Sequence, residues 1–455
     1  MAAFLMVKLL YMLSSVYYFF SGMYLMTSSL FRSLKNNDFT ILISLYFLLL
    51  PIGKTLWYPL FVMAVIGGFA LFKEVRDEGI SSGTKWLLLG GSFIWVPAIF
   101  SMINTVDSGR TLQFIGTYPL FFLAGYFIYK RLSTGTNVMP AVYIISAIVV
   151  LWGVLAIWQY VDPNNPFGPG GSHNQGIHTR DNPFVDGGLM MGVILGSLFS
   201  FLVFALWARG LSLLAILFGL FIIGLVYISG TRSAWLSVLV TLCAVPVIAL
   251  LRGFKPSLKT YVVSLCLLAT VTIAGVFAYQ QPGLQVKLNQ TLTVFSNPTR
   301  EGLDRTLSGR VDIWDDAIQL GLGSPIVGTG VNNFRYAQPL LPDPTGTRWI
   351  TQWNKDGHEL KGATHSHQIL LEAWSGAGAL GLIGLLAYFV WLARTSIQVG
   401  KTGTLLAVGA LVALWAGFFP FNTHNNFYGG WMSAWFWVWM GISAGLIFRQ
   451  PEEAS

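Results

Sequence analysis

Two histidines, His365 and His367, stand in THSHQILLEAWSGAGALGLIG, where the one long polar stretch of an otherwise apolar chain runs back into an apolar segment. A histidine at such a boundary can take or give a proton near neutral pH. His367, expected as the first residue of the helix, could therefore deprotonate a hydroxyl. Glu372 is a carboxylate five residues further on, inside the apolar run. The competing reading makes it a structural carboxylate held by a nearby donor. His365-x-His367 also suggests a metal. No third ligand stands at fixed spacing and no HExxH pattern is present, so that signal is weak.

Arginines are the second chemical type. Arg232, in ISGTRSAWLSVLV, stands at the start of an apolar helix. An arginine near bilayer depth is costly unless it is paired or faces a polar cavity, although a helix-end arginine can also snorkel. Ser229, Gly230 and Thr231 before it would let an anionic group approach the helix N-terminus. Arg310 opens an insert helix expected from Arg310 to about Leu320, with apolar Val311, Trp314 and Ile318 on one face. Its competing reading is a surface pair with Asp315 or Asp316, which would contribute little. Arg180, a lone charge in the Gly/Pro/Asn-rich loop Asp162–Asp186, is a third candidate for an anion. His424, near another helix end, is a further candidate. The glycines Gly376, Gly378, Gly381 and Gly384 suit close helix packing better than phosphate binding. No P-loop, kinase signature or GxSxG motif is present, so no nucleotide-driven chemistry is expected.

The elements that must position these residues are apolar. The 455 residues are 54% hydrophobic and 10% charged, with a mean hydropathy of +0.62; a soluble domain carries about 25% charged residues. Apolar segments fall near 9–31, 39–53, 56–73, 86–103, 111–129, 138–160, 184–207, 211–229, 231–251, 260–279, 367–393, 403–420 and 428–448. Their length excludes the short alternating pattern of a membrane β-barrel. The second and third are short and separated by Pro51-Ile52-Gly53, as a tight or re-entrant hairpin would be. The expected fold is an all-α polytopic transmembrane bundle of about twelve helices with one large outer loop containing short helices. Residues 1–280 form the first ten or so helices, 281–366 the loop domain, and 367–455 the last helices. The N-terminal run has no clear cleavage site and is read as a retained membrane segment. Cys243 and Cys266 both lie in apolar runs and are expected to be buried packing residues, with no disulfide or cysteine metal site.

Charge sets the expected orientation. The net charge is +8, yet Gln281–Ser366 holds eight basic and eight acidic residues. The excess lies in short loops, which argues against nucleic acid as a partner. Fourteen basic residues, among them Lys73, Arg76, Lys85, Lys130, Arg131, Arg252, Lys401 and Arg449, fall in one set of loops; five, including Arg110, Arg180 and Arg232, fall in the other. The positive-inside rule makes the first set cytoplasmic and puts the 281–366 insert outside. All six histidines (His173, His178, His358, His365, His367, His424) then lie on or beside the outer face. Arginines that grip a pyrophosphate bidentately and a histidine that deprotonates a hydroxyl would serve transfer from a membrane-embedded pyrophosphate donor to a hydroxyl acceptor. A secondary transporter would instead place ionisable groups near the bilayer midplane.

Three stretches carry a resemblance to the bacterial O-antigen ligase/polymerase superfamily, from about Gly188 to the C-terminus. SGTRSAWLS resembles that family's mid-chain arginine. SGRVDIWDDAIQLGLGSPIVGTGVNNF resembles its Arg-x-x-x-Trp helix followed by Pro, Gly-x-Gly and Asn-Phe. HQILLEAWSGAGALGLIG resembles its His-Asn-x-x-Leu start with a later Gly-x-x-Gly. Gly378 and Gly381 set the register, so that His367 takes the histidine position, Leu371 the Leu, and Gln368 stands where Asn is usual. The resemblance implies a multi-pass protein of the bacterial inner membrane with a periplasmic active site, and neither metal nor ATP. Arg232 and Arg310 would bind the undecaprenyl pyrophosphate of a lipid-linked glycan. His367 would act as general base or help hold the pyrophosphate. In the ligase branch the acceptor is lipid A–core; in the polymerase branch it is another lipid-linked unit. Protein O-oligosaccharyltransferases share the motifs.

Overall fold

The computed structural model describes residues 37–50, 55–161, 191–229, 232–254, 299–307, 309–342, 363–421 and 426–450, with single positions at 285, 289, 292 and 295. No strand occurs among the described residues. The helices, in chain order, are α1 (Asp38–Leu49), α2 (Trp57–Asp77), α3 (Ser82–Phe100), α4 (Ser108–Ser133), α5 (Met139–Val161), α6 (Met191–Ala208), α7 (Ser212–Ser229) and α8 (Arg232–Leu251). In the insert come α9 (Arg300–Thr306), α10 (Val311–Gly323) and α11 (Phe334–Ala337), followed by α12 (Ile369–Thr402), α13 (Leu405–Phe418) and α14 (Gly430–Ile447). Short 3-10 turns follow α3 (Ser101–Asn104) and α11 (Gln338–Leu340).

The helix starts follow local chemistry. Ser81 caps α3 by accepting from Thr84 N at 3.3 Å, Asp107 caps α4 from Arg110 N at 3.1 Å, and Thr404 caps α13 from Ala407 N at 3.2 Å. Each side-chain oxygen satisfies a backbone donor that the first turn leaves open.

Among the described residues six helices are long and apolar enough to cross a membrane: α2, α3 with its 3-10 turn, α4, α5, α8 and α12. Four further apolar helices, α1, α6, α7 and α13, have shorter described lengths. The expected segments 39–53 and 56–73 are two separate helices, α1 and α2. The expected helices over 9–31 and 260–279 lie outside the described residues. Helix α14 is buried from Met432 to Leu446 and packs along α4 and α13. Its indoles serve as interior packing: Trp437 meets Phe122 edge to face, and Trp439 meets Phe201.

The basic loops gather at one end of the bundle. Arg131 pairs with Asp38, Lys130 lies 2.9 Å from Glu74, and Arg449 donates to Gly135 O at 3.0 Å. Arg252 donates to Gly400 O and Gly403 O at 2.9 and 2.7 Å, satisfying carbonyls at the C-terminus of α12. Glu74, buried in the last turn of α2, also accepts from Ser81 N (3.0 Å), Thr84 (2.6 Å) and Tyr126 (2.6 Å). This network fastens α2, α3 and α4 together at the end away from the insert.

Candidate functional site

Helix α12 begins at Ile369, two residues later than expected for a helix starting at His367. The reason is the His367 backbone, whose φ of 56° is left-handed. A non-glycine residue there carries a steric cost, and such strain clusters at functional sites. The turn sets the His365 and His367 rings side by side with centroids 3.9 Å apart, His365 buried and His367 half-buried. His365 Nδ1 lies 2.7 Å from Thr364 Oγ1.

Gln368 is the cap of α12. Its Oε1 accepts from Leu371 N at 2.6 Å and its Nε2 donates to Pro420 O at 3.0 Å. Glu372 is buried, and its Oε2 accepts from Ser366 N and lies 3.2 Å from the Ser366 hydroxyl as well. The carboxylate therefore holds the residue between the two histidines.

Below this turn α12 is broken. Gly378 adopts φ 63°, ψ −154°, a conformation open essentially to glycine alone. In a membrane span each backbone polar group freed by a break needs a partner within the protein. The insert loop Pro325–Gly330 supplies them. Thr329 N and Gly330 N donate to Ser375 O and Gly376 O at 2.9 and 3.0 Å. Pro325 O and Ile326 O accept from Ala379 N and Leu380 N at 2.8 and 3.2 Å. A Cβ at Gly378 would stand 2.4 Å from the Ile326 carbonyl carbon, and one at Gly328 2.4 Å from that of Gly376. These glycines do permit close packing, here of a loop against a broken helix.

The same loop docks on the segment between α3 and α4. Val106 N donates to Thr329 O at 3.0 Å, Val331 N to Ser101 Oγ at 3.2 Å, and Thr111 Oγ1 to Val331 O at 3.2 Å. Asn333 is fully buried, and its Nδ2 lies 2.8 and 2.7 Å from the hydroxyls of Thr105 and Thr111. The Arg110 guanidinium lies over the Tyr336 ring at 5.7 Å, so Arg110 shares the insert end of the bundle.

Arg310 stands immediately before α10, which starts at Val311 and extends to Gly323, one turn beyond the expected end. Gly309 in its left-handed conformation makes the turn into it, and Asp304 Oδ1 accepts from Val311 N at 3.0 Å. Asp315 binds Arg300, and Asp316 accepts from Gln338 at 2.7 Å. Asp312, beside Asp315, also binds Arg300, and the two carboxylates hold that guanidinium above its ordinary range. Helix α10 lies against α12, where Trp374 Nε1 donates to Ile318 O at 3.2 Å.

Helix α8 joins this end through Ser237, whose hydroxyl donates to Ala416 O at 2.7 Å, one turn before the Pro420 carbonyl held by Gln368. The first turn of α8, which begins at Arg232, therefore stands at the same end as His367. The Arg232 side chain, Arg180 and His424 lie outside the described residues. An apolar groove of about 360 Å³ runs along α8 from Leu236 to Leu251, walled by α12, by α13 residues including Trp415, and by Phe419 just after α13. No group of three His, Cys, Asp or Glu side chains that could hold a metal occurs among the described residues.

Sequence reasoning missed Ser366, Asn333 and Gln338, whose partners lie on other elements. Asn333 left a trace in the Asn-Phe of VNNF; Ser366 and Gln338 left none.

Residues 217–389 match the family model described as O-antigen ligase. The matched span runs from α7 through the insert to Gly378 and beyond, and contains all three motifs on which the resemblance was drawn. The match and the apolar helices together describe a multi-pass membrane protein. The matched family implies activity of the O-antigen ligase/polymerase type. No curated protein matches the chain.

Proposed function

We propose that this protein is a glycosyltransferase of the bacterial inner membrane that moves O-antigen polysaccharide from undecaprenyl pyrophosphate to a sugar hydroxyl of lipid A–core at the periplasmic face. The observation that carries this reading is the meeting, at one end of the bundle, of the strained His367 turn with the insert that bears Arg310 and the first turn of α8. The apolar groove along α8 supports a lipid-linked donor, because a polyprenyl tail could lie in it while its pyrophosphate stays near Arg232.

In this mechanism His367 takes the proton of the acceptor hydroxyl. The oxygen attacks the anomeric carbon of the donor glycan, and the bond from that carbon to the pyrophosphate oxygen breaks. The electron pair stays on undecaprenyl pyrophosphate, where Arg232 and Arg310 stabilise the added charge bidentately. Arg180 is a further cation for the same anion. Exchange of the activated glycosyl–pyrophosphate linkage for a more stable glycosidic bond supplies the driving force.

The test mixes protein in lipid nanodiscs with lipid-linked glycan and either lipid A–core or excess donor alone. Glycan on lipid A–core is the expected product; longer lipid-linked chains instead would make the protein a polymerase. Arg232→Ala, Arg310→Ala and His367→Ala should each abolish transfer while the protein remains folded. Full activity in any one removes that residue from the site.

A further inference from the structure

We propose that Gln338 is a positioning residue, whose buried amide sets the register between the helix that Arg310 precedes and the turn that carries His367. The inference rests on the roles given above to Arg310 and His367.

Gln338 is 1% exposed and stands at the start of the 3-10 turn after α11. Its Nε2 donates to Asp316 Oδ2 at 2.7 Å and its Oε1 accepts from Ala363 N at 2.6 Å. Asp316 is buried in the second turn of α10, and Ala363 is buried four residues before His367. One side chain thus ties the Arg310 helix to the segment entering the histidines, using both halves of its amide.

The surroundings explain why that tie matters. Ile313, Ala317, Leu320, Phe334, Ala337 and Ala363 form a small apolar cluster separate from the main core. Apolar contact is non-directional and would keep the segment near α10 without setting its register. A hydrogen bond has a preferred length and angle, so the Gln338 amide sets it. Further on, Glu372 fixes Ser366. The segment 363–366 is therefore held from the insert at its start and from α12 at its end.

The experiment measures transfer kinetics for Gln338→Leu, which removes both bonds at similar volume, Asp316→Ala, which removes one partner, and Asp316→Asn, which keeps an acceptor. Gln338→Leu and Asp316→Ala should lower kcat about 10- to 100-fold per folded protein with little change in donor KM, the mark of misplaced reacting groups. Asp316→Asn should stay near wild type. A second readout needs no activity. Spin labels at Gln319→Cys and Thr364→Cys, with Cys243 and Cys266 replaced by serine, should give a narrow distance distribution that broadens on Gln338→Leu.

The proposal is overturned if Gln338→Leu keeps its kcat, if kcat falls with the distribution unchanged, or if Asp316→Asn falls as far as Asp316→Ala. It is also overturned if neither Gln338→Leu nor Asp316→Ala yields folded protein, since the amide would then serve folding alone. If the wild-type protein transfers no glycan, the proposed function fails, while the distance measurement still reads the tether.

Discussion

Glu372 holds Ser366 at two points: the Ser366 N–H and hydroxyl both lie 3.2 Å from the same carboxylate oxygen, and Ser366 is fully buried between the two histidines. Removing the acceptor by Glu372→Ala leaves a buried N–H without its partner, which costs about 1–3 kcal/mol. Glu372→Gln keeps a carbonyl acceptor and should cost less than half as much. Thermal unfolding in detergent compares the two. A Gln variant as unstable as the Ala variant would show that an acceptor for Ser366 is not what the fold uses.

Gly378→Ala should be far more damaging than an alanine in an ordinary helix. The φ of 63° and ψ of −154° suit glycine alone, and the new Cβ would stand 2.4 Å from the Ile326 carbonyl carbon. Strain and clash together should cost about 3 kcal/mol or more. The yield of folded protein and its unfolding temperature read this. A Gly378→Ala protein of wild-type stability would mean that α12 can run unbroken without the insert loop.

Two substitutions at His367 separate strain from chemistry. His367→Gly and His367→Ala should both lose glycan transfer, because neither carries an imidazole. The φ of 56° is open to glycine but costs alanine about 1–2 kcal/mol. The Gly variant should therefore be the more stable by about 1 kcal/mol, despite glycine's greater freedom when unfolded. Equal stability would show that the left-handed turn relaxes once the ring is gone.

Asn333→Ala should loosen the insert. The amide lies within 2.8 Å of the hydroxyls of Thr105, in the α3–α4 connection, and Thr111, in the first turn of α4, and the alanine removes their shared donor. A loss of about 1.4 kcal/mol, within the usual range for such a group, raises the open population about tenfold. Limited proteolysis of the insert should quicken by the same factor when opening is fast relative to cleavage. An unchanged cleavage rate would place the docking energy in the backbone bonds of Thr329 and Val331.

Much of the fold was legible because a membrane span is specified locally. A run of about twenty apolar residues is enough for a helix in lipid, whatever lies beside it. So α2, α3, α4, α5, α8 and α12 appear where apolar runs stand. The alternation of basic loops likewise anticipated the end where Arg131, Arg252 and Arg449 make their contacts. The motifs around Arg232, Arg310 and His367 were readable as a resemblance, and the family match covers all three.

The His367 turn and the break at Gly378 were decided by tertiary structure alone. A helical pattern runs without interruption from His367 through Gly384 in the sequence, and nothing local says that the chain leaves it twice. Both departures persist because distant groups pair what they expose: Pro325 and Ile326 with Ala379 and Leu380, Gln338 with Ala363, and Pro420 with Gln368. Those partners are brought together by helix packing and are separated from the site by long stretches of chain. The sequence by itself therefore offered Arg232, Arg310 and His367 as candidates and located the apolar helices beside them. Only the fold decided that His367 would stand outside its helix, because the backbone strain there is tolerable only where the surrounding contacts hold it.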